Sequence, residues 1–298
     1  MDLAAELLRY GPEADSSAIT LDAARAYCRK LAQGHYENFT VVSRLFPEHL
    51  HQHFCNVYAY CRWADDLADE AGDPARASSL LDWWEGQLDA MYSRTTTHPV
   101  FIALAQTVHE FALGPAPLAD LLVAFRRDQT QTRYETLADL LTYCDKSANP
   151  VGRIVLCLGR SLSEENARLS DAICTALQLA NFWQDVRRDW ERGRIYLPQE
   201  LCRKCGWNEG RFAAGRCDDD FRELLRSLVF EAETLLMQGE PLTRHVTSDL
   251  RPSIRVFVAG GFAILAAIRR CRYDVWSNRP TVGRLTKLRL VATAWWRG

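Results

Sequence analysis

Positive charge is the first thing this sequence lacks. Its 36 lysines and arginines are outnumbered by 38 acids, giving a formal net charge of −2 at pH 7. No global basic field exists to hold nucleic acid or an anionic membrane by charge alone, so a nucleic-acid partner is not expected. The N-terminus, MDLAAELLRYGPEAD, carries early acids and no basic start ahead of an apolar core, so no secretory signal is read and the expected location is the cytoplasm. Long apolar runs are missing too. The longest, VFVAGGFAILAAI at 256–268, falls short of the roughly 20 residues that a spanning helix needs, and reads as a buried core helix whose Gly260-Gly261 pair allows close approach. Only Cys202 and Cys205 among ten cysteines form a C-x-x-C, without a second pair at zinc-site spacing; most of the others lie in apolar helical pattern, as small buried hydrophobes kept reduced. No dinucleotide fingerprint such as G-x-G-x-x-G appears.

What is present is apolar spacing of helical period almost throughout, with no convincing period-2 alternation, which predicts an all-α fold. Turn chemistry clusters at 11–17, 46–49, 71–75, 113–117, 191–200 and 277–280, and none of these breaks is long enough for a linker. One helical domain over 1–298 is therefore expected, with 200–220 as its loosest segment.

Two acid-rich helices carry the chemistry. Around CRWADDLADE (61–70), Tyr58, Arg62, Asp65 and Asp69 fall at i, i+4, i+7 and i+11, one stripe bearing an arginine and two carboxylates. Asp66 and Glu70 lie about 100° further round and are expected on the rim or in solvent. In QLANFWQDVRRDWERGRIY (178–196), Gln178, Asn181, Asp185 and Asp189 repeat the arrangement, and Gly193 is a natural helix stop. Two aligned acid pairs set in aromatic and apolar sequence are costly to bury without compensating cations. Facing one another they would form a hard-oxygen cage, which favours Mg2+ over zinc and implies a di- or triphosphate to complete its coordination. Between them, TYCDKSANPVGRIVLCLG (142–159) breaks its helix at Asn149-Pro150, either for packing or to leave room for a ligand.

These segments resemble the squalene/phytoene synthase family of head-to-head prenyl synthases from about His35 to about Arg289. YAYCRWADDLAD and QLANFWQDVRRDWERGRIYLP are similar to its two aspartate-rich motifs, HYENF (35–39) to its N-terminal substrate loop, TYCDKSANPVG to its kinked helix, and YDVW (273–276) with GRLTKLR to its C-terminal end. The resemblance implies a helical isoprenoid synthase fold with a central cavity, and Mg2+ held by Asp65, Asp69, Asp185 and Asp189 against a diphosphate. It further implies that Arg62 binds diphosphate oxygen, and that Gln178 and Asn181 line the same side of the pocket. His35, Asn38, Phe39, Tyr58, Tyr143, Ala148, Val151, Gly152 and Tyr273 complete the implied substrate site.

Two departures from the family pattern bear on the substrate. Gln184 and Trp63 stand where a basic residue is frequent, so two charges are missing for a pair of diphosphates. Together with ENF, SANPVGR and QLANFWQDV, this most resembles the family's hydroxysqualene synthase branch. The implied reaction ionises presqualene diphosphate, rearranges the cation and captures it with water. The alternative is a presqualene diphosphate, squalene or phytoene synthase acting on two prenyl diphosphates such as farnesyl diphosphate. A more remote one is a non-catalytic assembly protein, which would be expected to have eroded its acids. The implied partners are a presqualene diphosphate synthase and a hydroxysqualene-reducing flavoenzyme; an apolar substrate leaves peripheral membrane contact open.

Overall fold

The computed structural model describes residues 1–14, 18–34 and 46–296. It is all-helical: among the described residues there is no strand, only an isolated bridge between Arg133 and Ile195. The chain divides into two compact units, Met1–Thr130 with Cys157–Arg160, and Gln131–Leu156 with Ser161–Gly298.

In the first unit, α1 (Leu3–Tyr10), α2 (Leu21–Gly34), α3 (His51–Asp69), α4 (Pro74–Tyr92), α5 (Pro99–Phe111) and α6 (Ala116–Asp128) follow in order. Helix α3 is the hub, packing against α2, α4, α5 and α6. Its Asn56, Tyr60, Trp63 and Leu67, at i, i+4, i+7 and i+11, are all fully buried. Trp63 stacks on Trp84 of α4 with ring centroids 5.2 Å apart and donates Nε1 to the Tyr27 hydroxyl at 3.0 Å. Asn56 is satisfied inside the core by the Ala103 carbonyl, the Thr107 hydroxyl and Gln52. Proline at the first turn follows a capping side chain in α4 (Asp73) and α5 (His98), which explains why these helices start where they do.

In the second unit, α7 (Leu137–Ser147) and α8 (Asn149–Leu158) are separated by the predicted break, and the 28-residue α9 (Glu164–Glu191) forms the spine. Helices α10 (Gln199–Lys204), α11 (Glu209–Ala214), α12 (Asp219–Gly239), α13 (Leu242–His245), α14 (Arg251–Arg270) and α15 (Arg284–Trp296) follow. The segment expected to be loosest, 200–220, instead folds as α10 and α11 around Trp207 and Phe212, both buried and in ring contact with Trp276. Two buried aromatics anchor it, which the polar run around them concealed.

Helix α14 corrects a length argument. At 20 residues it is long and apolar enough to cross a membrane by length and composition. Here it packs against α9, α12, α13 and α15, burying Ile254, Val258, Leu265 and Ile268. Of its two glycines only Gly261 is needed for close approach, since a Cβ there would press on Leu177 and Leu236; Gly260 has open space.

Candidate active site

On α3 the first acid pair lies on a partly open face. Asp65 is half-buried and Asp69 exposed. Burial, and then the neighbouring Asp69 charge, hold the Asp65 carboxyl above the ordinary carboxylate range. Tyr58, also half-buried, has its phenol pushed up by burial. Arg62 is engaged by acids of its own helix: Asp65 at 3.5 Å, Asp66, and Glu70 at 3.7 Å. Its Nε carries no partner.

The side chain that points inward is Asp66, not its neighbours. It is 1 % exposed and pairs with Arg62 and with the Met1 ammonium, the latter at 3.2 Å. The rim position expected for it is therefore wrong: two cations offset the cost of burying this carboxylate. Trp63 also changes meaning. Fully buried in the tryptophan stack, it does not stand at a diphosphate site, and its identity says nothing about how much charge that site carries.

On α9 the second pair is more strained. Burial first, and the Asp185 charge second, push the Asp189 carboxyl up to about 7. Asp185 is held by Arg279, which donates Nε to Oδ1 at 2.5 Å and Nη2 to Oδ2 at 2.8 Å. Gln184 is buried and bonds to Arg279 and to the Pro280 carbonyl, so it packs a loop. Gln178 is half-buried and Asn181 exposed. After Glu191 the helix stops as expected, with Gly193 at φ 76°. The following segment is pinned by Ile195 N–H to the Thr132 carbonyl at 2.9 Å and by Arg133 to the Gly193 carbonyl at 2.6 Å.

The kinked segment behaves in two ways. Asn149 holds the break, accepting from Thr175 at 2.9 Å and donating to Asp145 at 2.8 Å. Tyr143 is buried among Tyr134, Phe182 and Tyr196. Ala148 is buried and Val151 is exposed. Gly152 faces α9, where a Cβ would collide with Ser170 and Cys174, so here it is a helix-packing residue. Tyr273, at φ 61°, lies under the Arg226 guanidinium, 5.5 Å from the ring centroid. His35, Asn38 and Phe39 lie outside the described residues. Arg279 was missed by sequence reasoning because SNRP reads as a plain turn; its one signal was a lone arginine just beyond YDVW.

No group of three or more His, Cys, Asp or Glu gathers for a metal among the described residues. Each acid helix contributes one pair of carboxylates. The donor chemistry nevertheless fits a hard divalent cation: the donors are all oxygen, and a cation would offset the burial and, after it, the like-charge repulsion that raise Asp65 and Asp189.

An all-helical chain with an acid pair on each of two helices is the pattern of isoprenoid synthases, and its neighbours among solved structures share that fold. The squalene/phytoene synthase family model matches residues 32–286, and the chain belongs to that family of prenyltransferase-type enzymes, which act on prenyl diphosphates. Among solved structures, the squalene synthase HpnC from Alicyclobacillus acidocaldarius is similar, with TM-score 0.82 and 42% identity over 87% of this chain and 97% of that one. A hydroxysqualene synthase of Rhodopseudomonas palustris is 32% identical over 76% of this chain and 77% of its own length. The 15-cis-phytoene synthase of Synechococcus elongatus is 28% identical over 95% and 96%.

Proposed function

We propose that this chain is a magnesium-dependent hydroxysqualene synthase, converting presqualene diphosphate and water to hydroxysqualene and diphosphate. The observation that carries the reading is the 32% identity to a hydroxysqualene synthase, above the 28% to a phytoene synthase. Burial of Trp63 and Gln184 removes the missing-charge argument, so the reading rests on the relatives and on the intact acid pairs.

In this reaction the C–O bond to diphosphate breaks with its electron pair leaving on oxygen. The cyclopropylcarbinyl cation rearranges, water adds at carbon, and one proton is released. Asp65 and Asp69 on one helix, and Asp185 and Asp189 on the other, would each serve as metal ligands, and metal when bound supplies neutralising charge for the leaving diphosphate. Arg62 can turn from Asp65 and Glu70 toward diphosphate oxygen while Asp66 keeps hold of it. None of these residues is a nucleophile, so the outcome depends on where water is admitted. The same reading places the enzyme in the cytoplasm, between a presqualene diphosphate-forming synthase and a reducing flavoenzyme.

The test is incubation with presqualene diphosphate and Mg2+ without reductant. Hydroxysqualene is the expected product. Turnover of farnesyl or geranylgeranyl diphosphate to presqualene diphosphate, squalene or phytoene, with presqualene diphosphate giving no hydroxysqualene, contradicts the assignment.

A further inference from the structure

Asp185 already has a cation of the chain's own. Arg279 addresses it with a two-pronged fork, Nε to Oδ1 and Nη2 to Oδ2, so both carboxylate oxygens are engaged. One buried amide aims the fork. Gln184, 4 % exposed, accepts from Arg279 Nη2 through Oε1 at 3.1 Å and donates Nε2 to the Pro280 carbonyl, gripping the guanidinium and the adjoining backbone together. Arg188 stands further off, 3.6 Å from Asp185 Oδ1.

Beside this pair is a cavity of about 250 Å³, lined by Arg187, Arg188, Glu191, Trp276 and Ser277 together with Asp185 and Arg279, with Arg187 donating Nε to Glu191 at 2.9 Å. Trp276 is 4 % exposed, and its indole N–H has no partner. The wall sets three guanidinium groups against two carboxylates, Arg187 being held by Glu191 and Arg279 by Asp185. Once a cation takes Asp185, the remaining positive charge, with the unpartnered Trp276 indole N–H nearby, suits an anion.

A divalent cation and a guanidinium compete for the same two oxygens and repel one another. We propose that Arg279 is an internal counter-ion which a divalent cation displaces from Asp185, and that the released guanidinium then serves the neighbouring cavity as an anion-binding group. The proposal rests on reading Asp185 as a metal ligand. Metal and anion are thereby coupled: each favours the state in which Arg279 has let go, and the coupling is reciprocal.

The experiment uses Mn2+ as the metal probe, followed by electron paramagnetic resonance of the free ion, and inorganic pyrophosphate as the anion. Wild type, Arg279→Gln and Arg279→Lys are compared. With Mn2+ alone, Arg279→Gln should bind about fivefold tighter than wild type, because a half-exposed ion pair no longer competes. At saturating Mn2+ the same variant should bind pyrophosphate about tenfold more weakly, for loss of a charge-assisted donor. Arg279→Lys, which keeps the charge but loses the fork, should fall between the two in both measurements. These opposite signs separate counter-ion exchange from a packing role, which would weaken both. Mn2+ affinity in Arg279→Gln that is equal to or weaker than wild type overturns the proposal. Wild type that binds no Mn2+ overturns the metal reading itself, and the proposal with it.

Discussion

Replacing Asp189 by Asn should stabilise the metal-free protein at alkaline pH, although it removes a carboxylate proposed as a metal ligand. The folded carboxyl titrates at about 7, against an ordinary 3.8. Between those values the folded chain holds a proton that the unfolded chain has released, so stability falls as pH rises from about 4 to about 7, and the whole penalty is felt above that. Three pH units at about 1.4 kcal/mol each set a ceiling near 4 kcal/mol. Asp189 is only part-buried, and solvent screening reduces the expected penalty to about 2 kcal/mol. The Asn side chain is never charged and avoids it. Thermal melts in EDTA should then place Asp189→Asn about 4 to 6 °C above wild type at pH 8, converging on wild type near pH 4. Saturating Mg2+ should reverse the order at pH 8, because only the wild type gains a ligated ion. A variant less stable than wild type at pH 8 in EDTA, or a difference that does not change with pH, would refute the argument that burial and Asp185 strain this carboxyl.

Other substitutions separate structure from chemistry. Asp66→Asn leaves Arg62 and the Met1 ammonium facing no buried counter-charge and should cost about 3 kcal/mol in urea unfolding, whereas Asp65→Asn should leave stability nearly unchanged while turnover is lost. Trp63→Lys, which installs the basic residue frequent in the family, should cost about 4 kcal/mol or more through loss of the tryptophan stack, and should not improve pyrophosphate affinity. Gly152→Ala should cost about 1 to 3 kcal/mol by forcing α8 from Ser170 and Cys174, readable as a fall in melting temperature.

Much of the fold was legible because local chemistry and tertiary outcome agree. The turn clusters at 71–75 and 113–117 lie between α3 and α4 and between α5 and α6, and the Asn149-Pro150 break separates α7 from α8. The two polar stripes were also readable from spacing alone. Periodicity gives a residue's angle on its helix, but not which arc a distant segment will cover. Asp66 sits about 100° from Asp65, and what makes it buried is an N-terminus 65 residues away. Trp63 and Gln184 show the same limit in reverse: each adjoins a stripe of acids, yet each points into packing made by other elements. Arg279 belongs to a contact 94 residues long, beyond any local pattern.

The most direct test of the account is the fate of oxygen. Presqualene diphosphate supplied with Mg2+ in water enriched in oxygen-18 should yield hydroxysqualene whose hydroxyl carries the solvent label, without any reductant. An unlabelled hydroxyl, or a hydrocarbon product in place of the alcohol, would contradict cation capture by water as this enzyme's reaction.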